Sequence, residues 1–370
     1  MKIGILTLPL EVNYGGILQA FAMQKVLKKM GHEVFTIDRH RRRRYPSLSI
    51  HFAGYFKRLF HHYILMKKTV SVKWNPFISE EEFKTISKET QRFINHNIQL
   101  TRQVYPEQLS SIDDEYQFDA YIVGSDQVWL DYYCPDSFLA FVKRPNVKRV
   151  FYAASCGKRS IFDHPTKVLL CKKLVKAFSG VSVREESLVP VCKKTLGVDA
   201  EWVLDPTLLI DKEEYLEATN CHVDKSPILF SYILDDNTGK ESIINAISNL
   251  QGLSVVNGNK GTKDKVYPSV DDWIHNLARS EFVITDSFHG TVFAILFNKP
   301  FLTIANARRG IARFHSLLDK FGLRERLISE TQLDSISKIV KQSIDFSTIN
   351  SILTKERARS LEYLTKSLNR

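Results

Sequence analysis

The 370-residue chain contains no run of about 18 apolar residues, so no segment reads as a membrane-spanning helix. It opens on Lys2-Ile3-Gly4-Ile5-Leu6, the pattern of a strand and not of a signal peptide, which predicts a protein that is not secreted. Cysteine is sparse. Cys134, Cys156, Cys171, Cys192 and Cys221 are odd in number, widely spaced and without a C-x-x-C pair. They fit reduced thiols in a cytoplasm better than a disulfide frame or a zinc site. No G-x-x-x-x-G-K loop, no G-x-S-x-G elbow and no paired-histidine spacing occurs, which argues against a nucleotide P-loop, a hydrolase nucleophile and a metal site. Short-period repeats and low-complexity tracts are missing too.

What is present fits a soluble globular protein: 44% hydrophobic and 25% charged residues. The length predicts two domains of roughly 150–200 residues each. The net charge of +11 is unevenly spread. Arg39 to Arg44 holds five arginines and a histidine, and Phe52, Tyr55, Phe56, Leu59, Phe60, Tyr63 and Ile64 follow at helical spacing among lysines, arginines and histidines. Region 39–68 is thus a basic amphipathic stretch. It is either a helix resting on an anionic membrane surface, peripheral at the inner face, or a helix packed on the domain with a solvated basic face. Nucleic acid is the weaker partner, because no binding motif accompanies the charge.

The order of elements predicts an α/β protein. Residues 2–7 form a strand, Gly16 to Met30 a helix ended by Gly31, and Val34 to Ile37 a second strand, a unit that implies a parallel sheet. Residues 40–110 break the alternation and read as a helical insertion. Strands resume at 120–123, 150–153, 180–183 and 202–204, and a boundary falls near Asp205-Pro206-Thr207 and 219–227. A second series follows, with strands at 228–233, 253–256, 282–285 and 301–304. The domains expected are therefore 1–220, 221–345, and a charged helix 346–370 that crosses back to the first. Two such domains hold their ligand between the carboxyl ends of their strands.

Polar residues stand where those strands end. After the first comes Asn13-Tyr14-Gly15-Gly16, an acceptor or anion loop opening a helix, or a purely conformational turn. Asp126, after Ile122-Val123, is a base, a hydroxyl ligand or a cap. After Ala153-Ala154 stand Cys156, read as a small buried thiol before a nucleophile, and Lys158. Arg184 ends a buried strand and needs a partner, either a carboxylate or phosphate ligand or a structural acid such as Glu185. Asp286-Ser287-Phe288-His289-Gly290 joins a strand to a helix, and a helix N-terminus attracts anions. His289 there is an anion ligand or acid, or a local hydrogen-bond partner, and Asp286 or Ser287 caps the helix. Arg308, Arg309 and Arg313 form a second cationic wall or a solvated loop.

The ordered set Asn13-Tyr14-Gly15-Gly16-Ile17-Leu18-Gln19, Val123-Gly124-Ser125-Asp126-Gln127-Val128-Trp129, Tyr152-Ala153-Ala154-Ser155, Val181-Ser182-Val183-Arg184-Glu185, Leu204-Asp205-Pro206-Thr207 and Thr285-Asp286-Ser287-Phe288-His289-Gly290-Thr291 resembles the polysaccharide pyruvyl transferase family. The resemblance implies two Rossmann-like domains in a glycosyltransferase-B-like arrangement. It implies an enzyme with no cofactor and with phosphoenolpyruvate as donor substrate. An oligosaccharide or lipid-linked saccharide would receive pyruvate as a cyclic ketal, with phosphate released. Carried over, His289 and Arg184 hold the donor with Ser287 and Gly290, and His289 is also the candidate proton donor. Asp126 or Asp286 accepts hydroxyl protons. Relatives often read Ser-Arg-Leu-His-Gly where this chain has Ser287-Phe288-His289-Gly290, so one donor-binding cation is missing from its usual place and Arg308, Arg309 or Arg313 is expected to replace it. A nucleotide-sugar glycosyltransferase on the same layout, and a non-catalytic sugar-binding or assembly protein recruited through 39–68, are the rival readings.

Overall fold

The structure, a computed structural model, describes residues 1–42, 56, 79–157, 165–220, 227–235, 237–259, 266–306, 310–330, 332 and 336–370. Apolar runs buried on both faces make its strands, as parallel pairing between helical layers requires. Strands β1 (Lys2–Leu6), β2 (Glu33–Thr36), β3 (Ala120–Val123), β4 (Lys148–Ala154), β5 (Gly180–Val183) and β6 (Glu201–Trp202) form one sheet in the order β2-β1-β3-β4-β5-β6. Strands β7 (Ile228–Tyr232), β8 (Ser254–Asn257), β9 (Ser280–Thr285), β10 (Phe301–Ile304) and β11 (Leu327–Ile328) form a second, ordered β11-β10-β9-β7-β8. Every pairing between these strands is parallel. The pattern reading places these strands to within one or two residues, except β11, whose two residues are too short to show a period.

In each sheet the winding reverses beside the first strand of the series. β1 lies between β2 and β3, and β7 between β8 and β9. Loops leaving the two strands at such a point turn to opposite faces and open a crevice at the carboxyl edge. The two crevices face one another because the sheets share a core. The helix Tyr14–Lys29 packs Phe21 against Phe93 and Tyr215, at 5.7 and 5.8 Å between ring centroids, and Tyr215 in turn meets Phe293 at 5.0 Å. Tyr14 stacks on Trp273 at 5.7 Å and donates its hydroxyl to Pro268 O at 2.7 Å. Side chains of this size contribute about 1.5–3 kcal/mol each when fully buried, so the crevices are held face to face by apolar burial.

Helices Glu80–Ile86 and Lys88–Asn97 occupy the described part of the expected insertion, the first opened by a Ser79–Glu82 capping box. The chain then runs beside the outer edge of β2, with parallel bridges Thr36–Leu100 and Arg39–Val104, and so covers an otherwise open edge. Most of the basic stretch 39–68 lies outside the described residues. Its described start packs on the domain: Arg39 pairs with Asp136 at 2.8 Å and covers Tyr133, while Arg42 pairs with Glu107 and covers Tyr105. The final helix, Phe346–Asn369, lies against the first sheet, where Tyr363 donates to Phe151 O at 2.8 Å and Ser360 Oγ accepts from Leu204 N at 3.0 Å. Among the described residues no helix is long and apolar enough to cross a membrane.

Candidate active site

The residues that follow the strands at the two reversal points converge on a single cleft of about 300 Å³. Leu8 and Asn13 come after β1, Asp126, Gln127 and Leu130 after β3, and Cys156 and Gly157 after β4. From the second sheet, Leu234 follows β7 and Ser287, Phe288 and His289 follow β9. Arg313 enters from the helix Ala312–Lys320.

The wall from the first domain is locked by side chains. Gln19 donates to Thr7 Oγ1 at 2.8 Å and accepts from Ser125 N at 3.0 Å, so the loop after β3 is tied to the first helix. Asp126 then sits in the left-handed region, at φ +67°, which aspartate tolerates better than most residues. Asn13 caps the helix by accepting from Gly16 N at 3.4 Å. Gly15 lies against the imidazole of His289, and a β-carbon there would overlap the ring. Of the acceptor loop expected from sequence, Asn13 lines the cleft, Gly15 makes room for His289, and Tyr14 points away into the core.

Behind the wall lies a buried ionic network. Arg184 donates to Asp205 Oδ2 at 2.8 Å and to Asp126 Oδ1 at 3.3 Å, and its Nε stands 3.7 Å from Glu185 Oε1. Asp205 also accepts from Ser125 Oγ at 3.0 Å, from Thr207 N at 3.0 Å and from Thr207 Oγ1 at 2.7 Å. His289 Nε2 is 3.7 Å from Asp205 Oδ2, an ion-pair separation beyond hydrogen-bond reach, and makes no hydrogen bond among the described residues. Burial works against a charged Asp205, but the neighbouring His289 and Arg184 override it and hold the carboxyl far below the usual range. The same contest leaves Asp126 lowered, with Arg184, His289 and Arg313 outweighing burial. At Glu185 burial wins. That carboxyl is raised despite Arg184 and the 2.7 Å bond from Ser155.

Phe288 stands between Ser287 and His289, where the resemblance leads one to expect an arginine. It is 4% exposed and its ring gathers two arginines from elsewhere, Arg184 at 4.4 Å and Arg313 at 5.5 Å from the centroid. Cation–π contacts of this kind contribute about 0.5–2 kcal/mol each. Among the described residues Arg313 is the arginine that lines the cleft; Arg308 and Arg309 lie outside the described residues, as does Lys158. Ser287 caps the helix Phe288–Leu296 through Gly290 N at 3.4 Å, and Gly290 leaves room for the Thr285 side chain.

Two of the expected residues lie away from the cleft lining. Asp286 is not on the cleft: its carboxylate accepts from Leu234 N at 2.7 Å, Asp235 N at 3.2 Å, Lys240 Nζ at 2.8 Å and Asn306 Nδ2 at 3.0 Å. A carboxylate so occupied ties these loops together. Arg184, read as a donor clamp, does not line the cleft and has its charge met by two acids. Sequence reasoning missed Asp205, which read as part of a domain boundary. A buried acid in a Leu-Asp-Pro-Thr turn beside a strand end was the available signal. Gln127 was read as part of the polar run after Val123 without a role, and Leu8, Leu130 and Leu234 were missed, since nothing in their local pattern marks them. Among the described residues no group of three or more His, Cys, Asp or Glu side chains is placed to hold a metal ion.

Comparison with solved structures shows what this arrangement is built on. UDP-GlcNAc 2-epimerase from Methanocaldococcus jannaschii superposes with a TM-score of 0.51 at 13% identity, covering 93% of each chain. UGT89C1 of Arabidopsis thaliana, solved with UDP-L-rhamnose, gives 0.51 at 11% identity, covering 99% of this chain and 98% of that one. Identity this low speaks for the fold alone: two Rossmann-like domains in the GT-B arrangement. No curated protein matches in sequence. The family described as polysaccharide pyruvyl transferase matches residues 13–308. That span runs from the Asn13 cap through every strand from β2 to β10 and takes in residues from both walls of the cleft, so the chain belongs to the polysaccharide pyruvyl transferase family, a family of enzymes.

Proposed function

We propose that this enzyme moves pyruvate from phosphoenolpyruvate to two hydroxyls of one sugar, in a polysaccharide or its lipid-linked precursor. The products are a cyclic ketal and phosphate. The observation that carries this reading is the pairing, across one small cleft, of basic side chains and a helix N-terminus with a carboxylate lowered from its usual range. His289, Arg313 and the first turn of the helix Phe288–Leu296 stand opposite Asp126. The donor brings a carboxylate and a phosphate, and a helix N-terminus with an arginine beside it suits both.

The chemistry divides among the residues as follows. A proton from His289 goes to the methylene carbon of the donor and leaves a cationic centre at the adjacent carbon. One sugar hydroxyl adds there and gives its proton to Asp126. Phosphate then departs toward Arg313 and the helix N-terminus, taking with it the proton held by Asp126, and the second hydroxyl closes the ring as its proton returns to the histidine. Arg184 contacts neither reactant. It holds Asp126 and Asp205 in place, and Asp205 is the carboxylate nearest His289.

The test is phosphate release from phosphoenolpyruvate with free and lipid-linked oligosaccharides offered as acceptors, for the native chain, His289→Ala and Arg313→Ala. Each variant is expected to lose activity by about 10²-fold or more. Unchanged release in both would dismiss the assignment. A thermal shift with UDP-sugars and none with phosphoenolpyruvate would point instead to a nucleotide-sugar enzyme.

A further inference from the structure

Outside the cleft two thiols are in contact. Cys134 stands four residues beyond the cleft-lining Leu130, and Cys171 is on the helix Pro165–Leu174. Their Sγ atoms are 2.9 Å apart, one donating to the other, and both are free. Cys171 is fully buried, whereas Cys134 is partly open to solvent. One sulfur can therefore be reached from outside and the other only from the first.

The surroundings favour a thiolate at the reachable sulfur. Lys167, one turn before Cys171, donates Nζ to Asp131 O at 2.7 Å, which sets an ammonium beside the pair. The S–H of Cys171 and then Lys167 lower Cys134 against burial and against the acids Asp131 and Asp136, while Cys171 itself is held high. A low thiol that solvent reaches, a cation beside it and a second sulfur in contact are the parts of a peroxide-reactive dithiol.

We propose that Cys134 and Cys171 form a redox-active pair that hydrogen peroxide converts to an intramolecular disulfide. The Cys134 thiolate attacks one peroxide oxygen. An S–O bond forms, the O–O bond breaks, and hydroxide leaves to take up a proton as water. Cys171 sulfur then attacks the sulfenic sulfur of Cys134. The S–S bond forms, the S–O bond breaks, and the departing hydroxide takes the Cys171 proton as a second water. Two thiols lose two electrons and peroxide gains them. The cross-link joins the turn after Leu130 to the helix Pro165–Leu174. That turn also carries Asp136, the partner of Arg39, so oxidation stiffens one rim of the cleft together with the start of the basic stretch.

The pair is tested on the full chain, independently of the reaction assigned to the cleft. After brief treatment with a small excess of peroxide, the denatured protein should lose about 2 Da, with Cys134 and Cys171 linked in the peptide map. Its five thiols should titrate as three, and dithiothreitol should restore all five. Cys171→Ser should stop at a dimedone-reactive sulfenic acid on Cys134, about 16 Da heavier. Cys134→Ser should slow thiol loss by about tenfold or more. If Cys171→Ser does not fold, the part-exposed Cys134→Ser variant carries the test. Five thiols surviving peroxide, a cross-link between other cysteines, or equal thiol loss in Cys134→Ser would each overturn the proposal.

Discussion

Replacing Gly15 with alanine sets two effects of opposite sign against each other. Gly15 is the second residue of the helix Tyr14–Lys29, and alanine in a helix is favoured over glycine by roughly 0.5–1 kcal/mol. Against this, the new methyl would overlap the Nδ1 and Cγ atoms of His289. Overpacking costs about 1–3 kcal/mol when the surroundings cannot yield, and His289, 5% exposed at the start of a wholly buried helix, has little space to turn. The net loss of stability is then about 0–2.5 kcal/mol. The effect on chemistry is larger, because a displacement of about 1 Å in a reacting group costs on the order of 10²-fold in rate.

Gly16→Ala supplies the control. A β-carbon at Gly16 meets nothing nearer than Asn13 at 3.6 Å, an ordinary contact, so only the helical gain remains. Thermal melting and phosphoenolpyruvate-dependent phosphate release, measured on both variants, separate the cases. Gly15→Ala is expected to lose activity by about 10²-fold with a small fall in melting temperature, and Gly16→Ala to keep activity and melt at or above the native temperature. If the two variants behave alike, His289 does not occupy the place that the geometry gives it.

Arg184→Met removes the cation shared by Asp205 and Asp126 and leaves both buried acids unpaired, a loss of roughly 3–5 kcal/mol, on the order of 10 °C in melting temperature with no ligand present. An unaltered melting curve would return Arg184 to the role of a donor clamp. Glu185→Gln is expected to stabilise at neutral pH. The native carboxyl is raised on folding, so it costs stability as pH climbs past its unfolded value near ~4.3, and the gap between variant and native melting temperatures should open upward from there and close below. A gap that widens toward acid would contradict this sign. Phe288→Arg, which writes the arginine of the relatives back into the chain, should lower both stability and phosphate release, because it replaces the ring between Arg184 and Arg313 with a third buried cation. Gain of activity in that variant would show that Arg313 has not taken over the missing charge.

The strands were legible because parallel strands covered on both faces are continuous apolar runs, and Ala120–Val123 or Phe282–Ile284 allow little else. His289 and Asp126 were legible for a related reason: a buried run that ends abruptly in polar residues marks the carboxyl edge of a sheet, where ligands bind. Less could be read where structure depends on distant segments. The edge that Thr36 and Arg39 share with Leu100 and Val104 is closed by residues some 65 positions away, and no local period announces it. Sequence narrowed the substitute expected for the missing arginine to three candidates, and among the described residues Arg313 packs on the Phe288 ring and lines the cleft.

Asp286 and Asp205 show where such reading stops. Both are acids just past a strand, and the sequence offers more reason to choose Asp286, which neighbours His289. Lateral pairing decides otherwise. β9 lies beside β7 with Thr285 opposite Tyr232, which brings the N–H groups of Leu234 and Asp235 to the Asp286 carboxylate and fills it with donors. β5 lies beside β6 with Val183 opposite Trp202, which carries Arg184 and Asp205 to the same level and sets Asp205 between that arginine and His289 of the other domain. Position at a strand end makes an acid a candidate. Whether it joins the ionic network behind the cleft or binds the neighbouring loop is settled by which strand stands next to it, and strand order is a long-range property that hydrophobic periodicity does not carry.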